Sequence, residues 1–202
     1  MAEFFNIVMH AMVVENLALV FLLGMCTFIA VSKRVSTAIG LGIAVLLVQL
    51  ITVPINNVIY NQLLAPGALS WAGFPSTDLS HLRFITFIGV IAALVQIVEL
   101  VLERYFRRLQ DALGIFLPLL TVNCAILGAS LLMVQREYDF VGSVAYAVGV
   151  GAGWAVAVIL FAAIRERLRY SDIPVGMQGL GMAFIITGFL AFGFAGISGI
   201  EF

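Results

Sequence analysis

The chain has two cysteines, Cys26 in LLGMCTFIA and Cys124 in LLTVNCAILG, each in the middle of an apolar run. A free cysteine in such a setting is ordinarily a small, inert hydrophobe. Two thiols in matching contexts leave a second chemistry open, that of thiolate ligands. No CxxC spacing occurs, which excludes a disulfide-rich fold and a self-contained zinc site. Soft thiolates suit iron–sulfur, copper(I) or zinc. Two of them do not complete a [2Fe–2S] centre, which ordinarily takes four. A cluster here needs two more cysteines from a second polypeptide or a second copy. Gly24 and the backbone N–H groups near both thiols are candidate donors to sulfur. Asn123 is a candidate side-chain donor, or a helix–helix hydrogen bond.

The elements that must hold these residues are membrane helices. The chain is 63% hydrophobic with only 10% charged residues, where a soluble domain carries about 25%. It cannot cover a water-facing surface, and a net charge of −1 gives no reason to expect nucleic acid. Six apolar runs cover roughly 9–31, 38–60, 82–102, 112–134, 141–163 and 177–199. Each is near the ~20 residues that cross ~30 Å of hydrocarbon as a helix. None alternates with period two, as a barrel strand would. The sequence predicts an all-α polytopic membrane protein, a single transmembrane domain over 1–202. The first 19 residues, with Glu3 and no basic start, read as a retained helix rather than a cleaved signal. The longest connection, 61–81, carries Pro66, Gly67, Trp71, Gly73 and Pro75 and reads as an ordered cap or a partner contact.

Basic residues set the orientation. Lys33, Arg34, Arg104, Arg107, Arg108, Arg165, Arg167 and Arg169 fall in the odd connections, eight of the ten Lys and Arg. By the positive-inside rule those connections are cytoplasmic and both termini lie outside, on the periplasmic side. Arg83 and Arg136 fall on the outer side with Glu3, Asp78, Glu137, Asp139 and Glu201.

Cys26 and Cys124 are 98 residues apart, and a shift of that length nearly superposes the six runs. Two three-helix repeats follow, about 1–103 and 104–202. An odd repeat crosses the membrane upside down relative to its copy, so these are inverted repeats. Breaks are expected in spans one and four, at Gly24 and at Pro118, just before each cysteine.

Other polar positions offer an ion path. Glu15 and Asn16 stand in the outer part of span one, where an intramembrane carboxylate is costly. Asn56 and Asn57 follow Pro54 near the outer end of span two. The run VGVGAGWA, with Gly149, Gly151 and Gly153, reads as close helix packing and not as a nucleotide loop.

Four stretches carry a resemblance: VENLALVFLLGMCTFIAVSK, VPINN, ALGIFLPLLTVNCAILG and FAAIRERLRYSDIP. In order, and over most of the chain, they resemble one family of membrane subunits, the E-type subunits of the sodium-translocating NADH:quinone reductases. Paralogues of that family serve the complexes that couple ferredoxin and NAD; VENLAL and GMCTF favour the quinone-reductase branch. The resemblance implies six helices in an inverted repeat and a homologous six-helix membrane partner. It implies an intramembrane [2Fe–2S] cluster with two cysteines from each chain, here Cys26 and Cys124. It further implies a bacterial inner-membrane complex of several subunits, using NADH, flavins and ubiquinone and exporting Na+. The chain would be a subunit of that enzyme and not catalytic alone. From the residues themselves two other classes stay open: a small ion or solute transporter with incidental cysteines, and a structural membrane subunit without a cofactor.

Overall fold

Inside a bilayer the backbone has no water to bond, so apolar runs become helices. The computed structural model describes residues 2–65, 79–105, 120–172, 174, 176 and 179–198. Among them run α1 (Ala2–Met9), a π-helical turn His10–Val14, α2 (Met25–Val31), α3 (Val35–Ile59) and a second π-helical turn Tyr60–Leu64. A short 3-10 turn Ser80–Leu82 leads into α4 (Arg83–Tyr105), followed by α5 (Cys124–Gln135), α6 (Phe140–Leu168) and α7 (Leu180–Ser198). No strand occurs among the described residues.

Among the described residues, three stretches are helices long and apolar enough to cross a membrane: Val35–Leu64, Ser80–Tyr105 and Phe140–Leu168. They correspond to the second, third and fifth expected spans. The sixth corresponds to α7, an apolar helix of 19 residues.

The first expected span is not one helix. The chain turns helical at Ala2, ahead of position 9, and leaves the helix at Val14. Asn16 drives the exit. Its Oδ1 accepts from the Ala18 and Leu19 N–H groups at 3.0 and 3.3 Å, a local bond that competes with the helix ladder. Leu22 (φ 54°) and Gly24 (φ 79°) then take left-handed conformations that no right-handed helix passes through. The helix resumes at Met25 for seven residues.

In the fourth expected span, α5 starts at Cys124 and has 12 residues, about 18 Å of rise. That is short of a full crossing. Pro118 and the rest of 106–119, with Arg107 and Arg108, lie outside the described residues. So do Pro66, Gly67, Trp71, Gly73, Pro75 and Asp78 of the long connection, and Glu201.

At the centre α3 packs on α6, and glycines set the separation. A β-carbon on Gly42 would sit 2.9 Å from Ala155 Cβ, and one on Gly151 would sit 3.0 Å from Leu46 Cα. Gly149 and Gly153 bring the N-terminal segment equally close, at Val8 and Met12. The glycine run therefore packs helices, as its composition suggests. Phe28 of α2 is fully buried against Phe161 and Trp154 of α6, ring centroids 4.6 and 6.3 Å away. α6 also runs past its expected end at 163 to Leu168. Arg165 and Arg167 thus occupy its last turn, where cations complement the helix dipole.

Candidate functional site

The chain breaks immediately before each cysteine, and the two breaks touch. Gly24, in its left-handed conformation, precedes α2, and Cys26 is the second residue of that helix. Asn123 caps α5, its Oδ1 accepting from the Ala125 N–H at 3.0 Å, and Cys124 is the first residue of that helix. The Gly24 N–H donates to Cys124 Sγ at 3.0 Å. The Gly24 carbonyl is used as well: Thr27 Oγ1 donates to it at 2.8 Å and the Phe28 N–H at 3.0 Å.

Only glycine fits this position. A β-carbon there would lie 2.8 Å from both Asn123 Oδ1 and Trp154 Nε1. Asn123 Nδ2 and Trp154 Nε1 are themselves buried N–H groups without a hydrogen-bond partner among the described residues. Neither thiol is sealed in. Cys26 is exposed and Cys124 half-buried, so both reach the surface of this chain. Among the described residues no group of three or more His, Cys, Asp and Glu gathers in one place. Trp154 is the neighbour that sequence reasoning missed. It belongs to VGVGAGWA, whose glycines mask a buried indole N–H beside the break.

The four candidate ion-path residues divide. Asn16 is committed to backbone: its Nδ2 donates to Gly153 O at 2.8 Å and Met12 O at 3.2 Å, while its Oδ1 serves the turn already described. Glu15 forms an ion pair with Arg136, and His10 Nδ1 stands 3.9 Å from its other oxygen. Arg136 Nη1 also donates to the Tyr138 hydroxyl at 3.4 Å. Burial pulls the Arg136 guanidinium down, but its bonds to Glu15 and Tyr138 outweigh that and hold it above its ordinary value. Asn57 donates to Tyr138 O at 2.8 Å and to Met133 Sδ at 3.0 Å, and accepts from Asn61 Nδ2 at 3.0 Å. Glu15 and Asn57 are thus joined through the turn at 136–138. Asn56 faces α5, where its Nδ2 donates to Ser130 Oγ at 2.9 Å. The sequence places Glu15 and Arg136 on the same outer side but does not pair them.

The chain matches, over residues 4–201, the family described as "Rnf-Nqr subunit, membrane protein". It is 58% identical over 201 residues to a protein of Psychromonas ingrahamii named as the E-type subunit of the Na(+)-translocating NADH-quinone reductase, with the whole of both chains covered. Proteins of the same name from Maridesulfovibrio salexigens and Azotobacter vinelandii are each 57% identical over 201 residues, again over the full length of both chains. With its apolar helices and this end-to-end likeness, the chain belongs to the Rnf-Nqr family of multi-pass membrane subunits.

Proposed function

We propose that this chain is the E-type membrane subunit of a sodium-translocating NADH:quinone reductase, where it carries half of an intramembrane [2Fe–2S] site. Cys26 and Cys124 would supply two thiolates, and a homologous membrane subunit the other two. One observation carries the reading: the Gly24 N–H bonds the Cys124 sulfur and so holds the two cysteine-bearing helix starts together. The fit is supported by the chemistry of the neighbourhood. Both sulfurs reach the chain surface, where a partner's thiolates can meet them. Asn123 and Trp154 hold buried, uncommitted N–H groups beside the break, suited to negative charge on sulfide or thiolate.

A [2Fe–2S] cluster bound there supplies a one-electron stopping point within ~30 Å of hydrocarbon. The chain's own residues do the rest. Gly24 stabilises the Cys124 thiolate by hydrogen bonding. Asn123 fixes the start of α5 and therefore the position of Cys124. Trp154 packs against the break at Gly24, and Phe28, two residues after Cys26, is buried against it. The chain performs no chemistry alone; NADH, flavins and ubiquinone act on other subunits of the inner-membrane complex. Sodium export in this reading draws on Glu15, Asn16, Asn56 and Asn57, of which Glu15 and Asn57 meet at the turn 136–138 while Asn16 and Asn56 bond elsewhere, to Gly153 and to Ser130. The inverted repeat belongs to the same proposal. Its supports are a break before each cysteine and the central pairing of α3 with α6, the equivalent spans two and five.

The reading is tested by activity in the assembled complex. Cys26→Ala and Cys124→Ala should each abolish sodium-dependent quinone reduction while the subunits still copurify. Either variant turning over at the wild-type rate would remove the electron-relay role.

A further inference from the structure

Away from the thiols, four cations converge where two separate connections meet. A cavity of about 400 Å³ is lined, among the described residues, by Lys33, Arg34, Arg165 and Arg169. Lys33 and Arg34 come from the turn between α2 and α3; Arg165 and Arg169 come from the end of α6. Among the described residues, the ion pairs formed are those of Glu15 with His10 and Arg136, so none of the four is paired. Glu166, next to Arg165 in the chain, accepts from the Val35 N–H at 3.2 Å.

Membrane orientation requires basic residues at this interface, but not that they face one another. Four like charges around one cavity repel unless an anion sits among them. One of them is also held in place. Arg165 Nη1 donates to Ile29 O at 2.9 Å and to Ser32 Oγ at 2.7 Å, and its guanidinium lies 5.6 Å from the Phe161 ring. An arginine braced by backbone, hydroxyl and ring offers its remaining N–H groups in a fixed direction, the arrangement that suits phosphate oxygens.

The helices that carry these cations continue as exposed apolar stripes. α3 presents Ile39, Ile43 and Leu47, and α6 presents Val156 and Leu160. A phosphate with acyl chains attached would satisfy both the charge and the stripes, whereas free phosphate satisfies only the charge. We propose that this pocket binds the phosphate of an anionic phospholipid at the cytoplasmic face.

The test uses the whole complex, reconstituted in phosphatidylcholine vesicles containing a minor share of photoreactive phosphatidylglycerol. Mass spectrometry then locates the cross-linked peptides. Adducts should concentrate on residues 33–35 and 165–169, and fall several-fold in Arg34→Gln/Arg169→Gln. Both substituted residues are exposed, and Arg165 keeps its bracing bonds in that variant. The wild-type map decides the matter even if the variant fails to assemble. Adducts spread evenly around the chain, or undiminished in an assembled variant, would overturn the site. Protection by inorganic phosphate as strong as by unlabelled phosphatidylglycerol would assign the pocket to free phosphate and overturn the lipid. Absence of adducts there, with an acidic segment of another chain of the complex covering the pocket, would overturn it as well.

Discussion

Gly24 combines two constraints in one residue. Its φ of 79° lies in the left-handed region, where a side chain costs roughly 1–2 kcal/mol. An added β-carbon would also press on Asn123 and Trp154. Gly24→Ala should therefore lower the thermal midpoint of the complex and weaken retention of iron, whereas Gly193→Ala, with open space around it, should change neither. Equal behaviour of the two variants in a thermal melt would contradict this geometry. Asn123→Ala removes a helix cap, a loss of about 1 kcal/mol, while Asn123→Ser keeps a neutral cap acceptor and should recover most of it. At this scale much was legible in the sequence. The two cysteines stand out by their number, and Gly24 and Asn123, which form the breaks before them, are conspicuous beside them. Trp154 was not legible, because an indole N–H gains meaning only from what lies across the helix interface.

At the scale of elements, the long helices were readable and the breaks were less so. α3, α4 and α6 follow directly from apolar runs, since a bilayer leaves such runs no alternative. The interruption over 15–24 is written in NLALVFLLG, which is as apolar as a helix interior. Hydropathy averages over it; only Asn16 and Gly24 mark the turns. Helix contacts were legible in kind, because glycines spaced along α6 signal close approach, but not in partner. A β-carbon on Gly149 would lie 2.6 Å from Val8 O, so Gly149→Val should drive α1 from α6 and cost at least about 1–3 kcal/mol. A Gly149→Val complex with an unchanged melting temperature would contradict that packing. The Glu15–Arg136 pair ties the irregular segment after α1 to the turn after α5. Arg136→Gln alone leaves a partly buried carboxylate uncompensated. A double-mutant cycle with Glu15→Gln should show the double variant losing less stability than the sum of the singles. Simple additivity would mean that the pair contributes nothing.

Across the whole molecule, the distribution of basic residues and the thiol surface make two claims about the surroundings. Eight of the ten Lys and Arg fall in the odd connections of the expected six-span topology, and by the positive-inside rule that topology predicts both termini outside. A protease added to spheroplasts should remove an N-terminal tag, and a protected tag would reverse the orientation. The proposed cluster makes the larger claim, that this chain carries half of a site. Counting ligands poses the question of a second chain, and no single chain's sequence can answer it. The most direct measurement is iron and labile sulfide content, with EPR of the reduced state, on this chain copurified with its membrane partner. Wild type is compared with Cys26→Ala and Cys124→Ala. The account expects about two irons at this site and a [2Fe–2S] signal, both lost in each variant. Iron and signal unchanged in both variants would make Cys26 and Cys124 packing residues and contradict the relay.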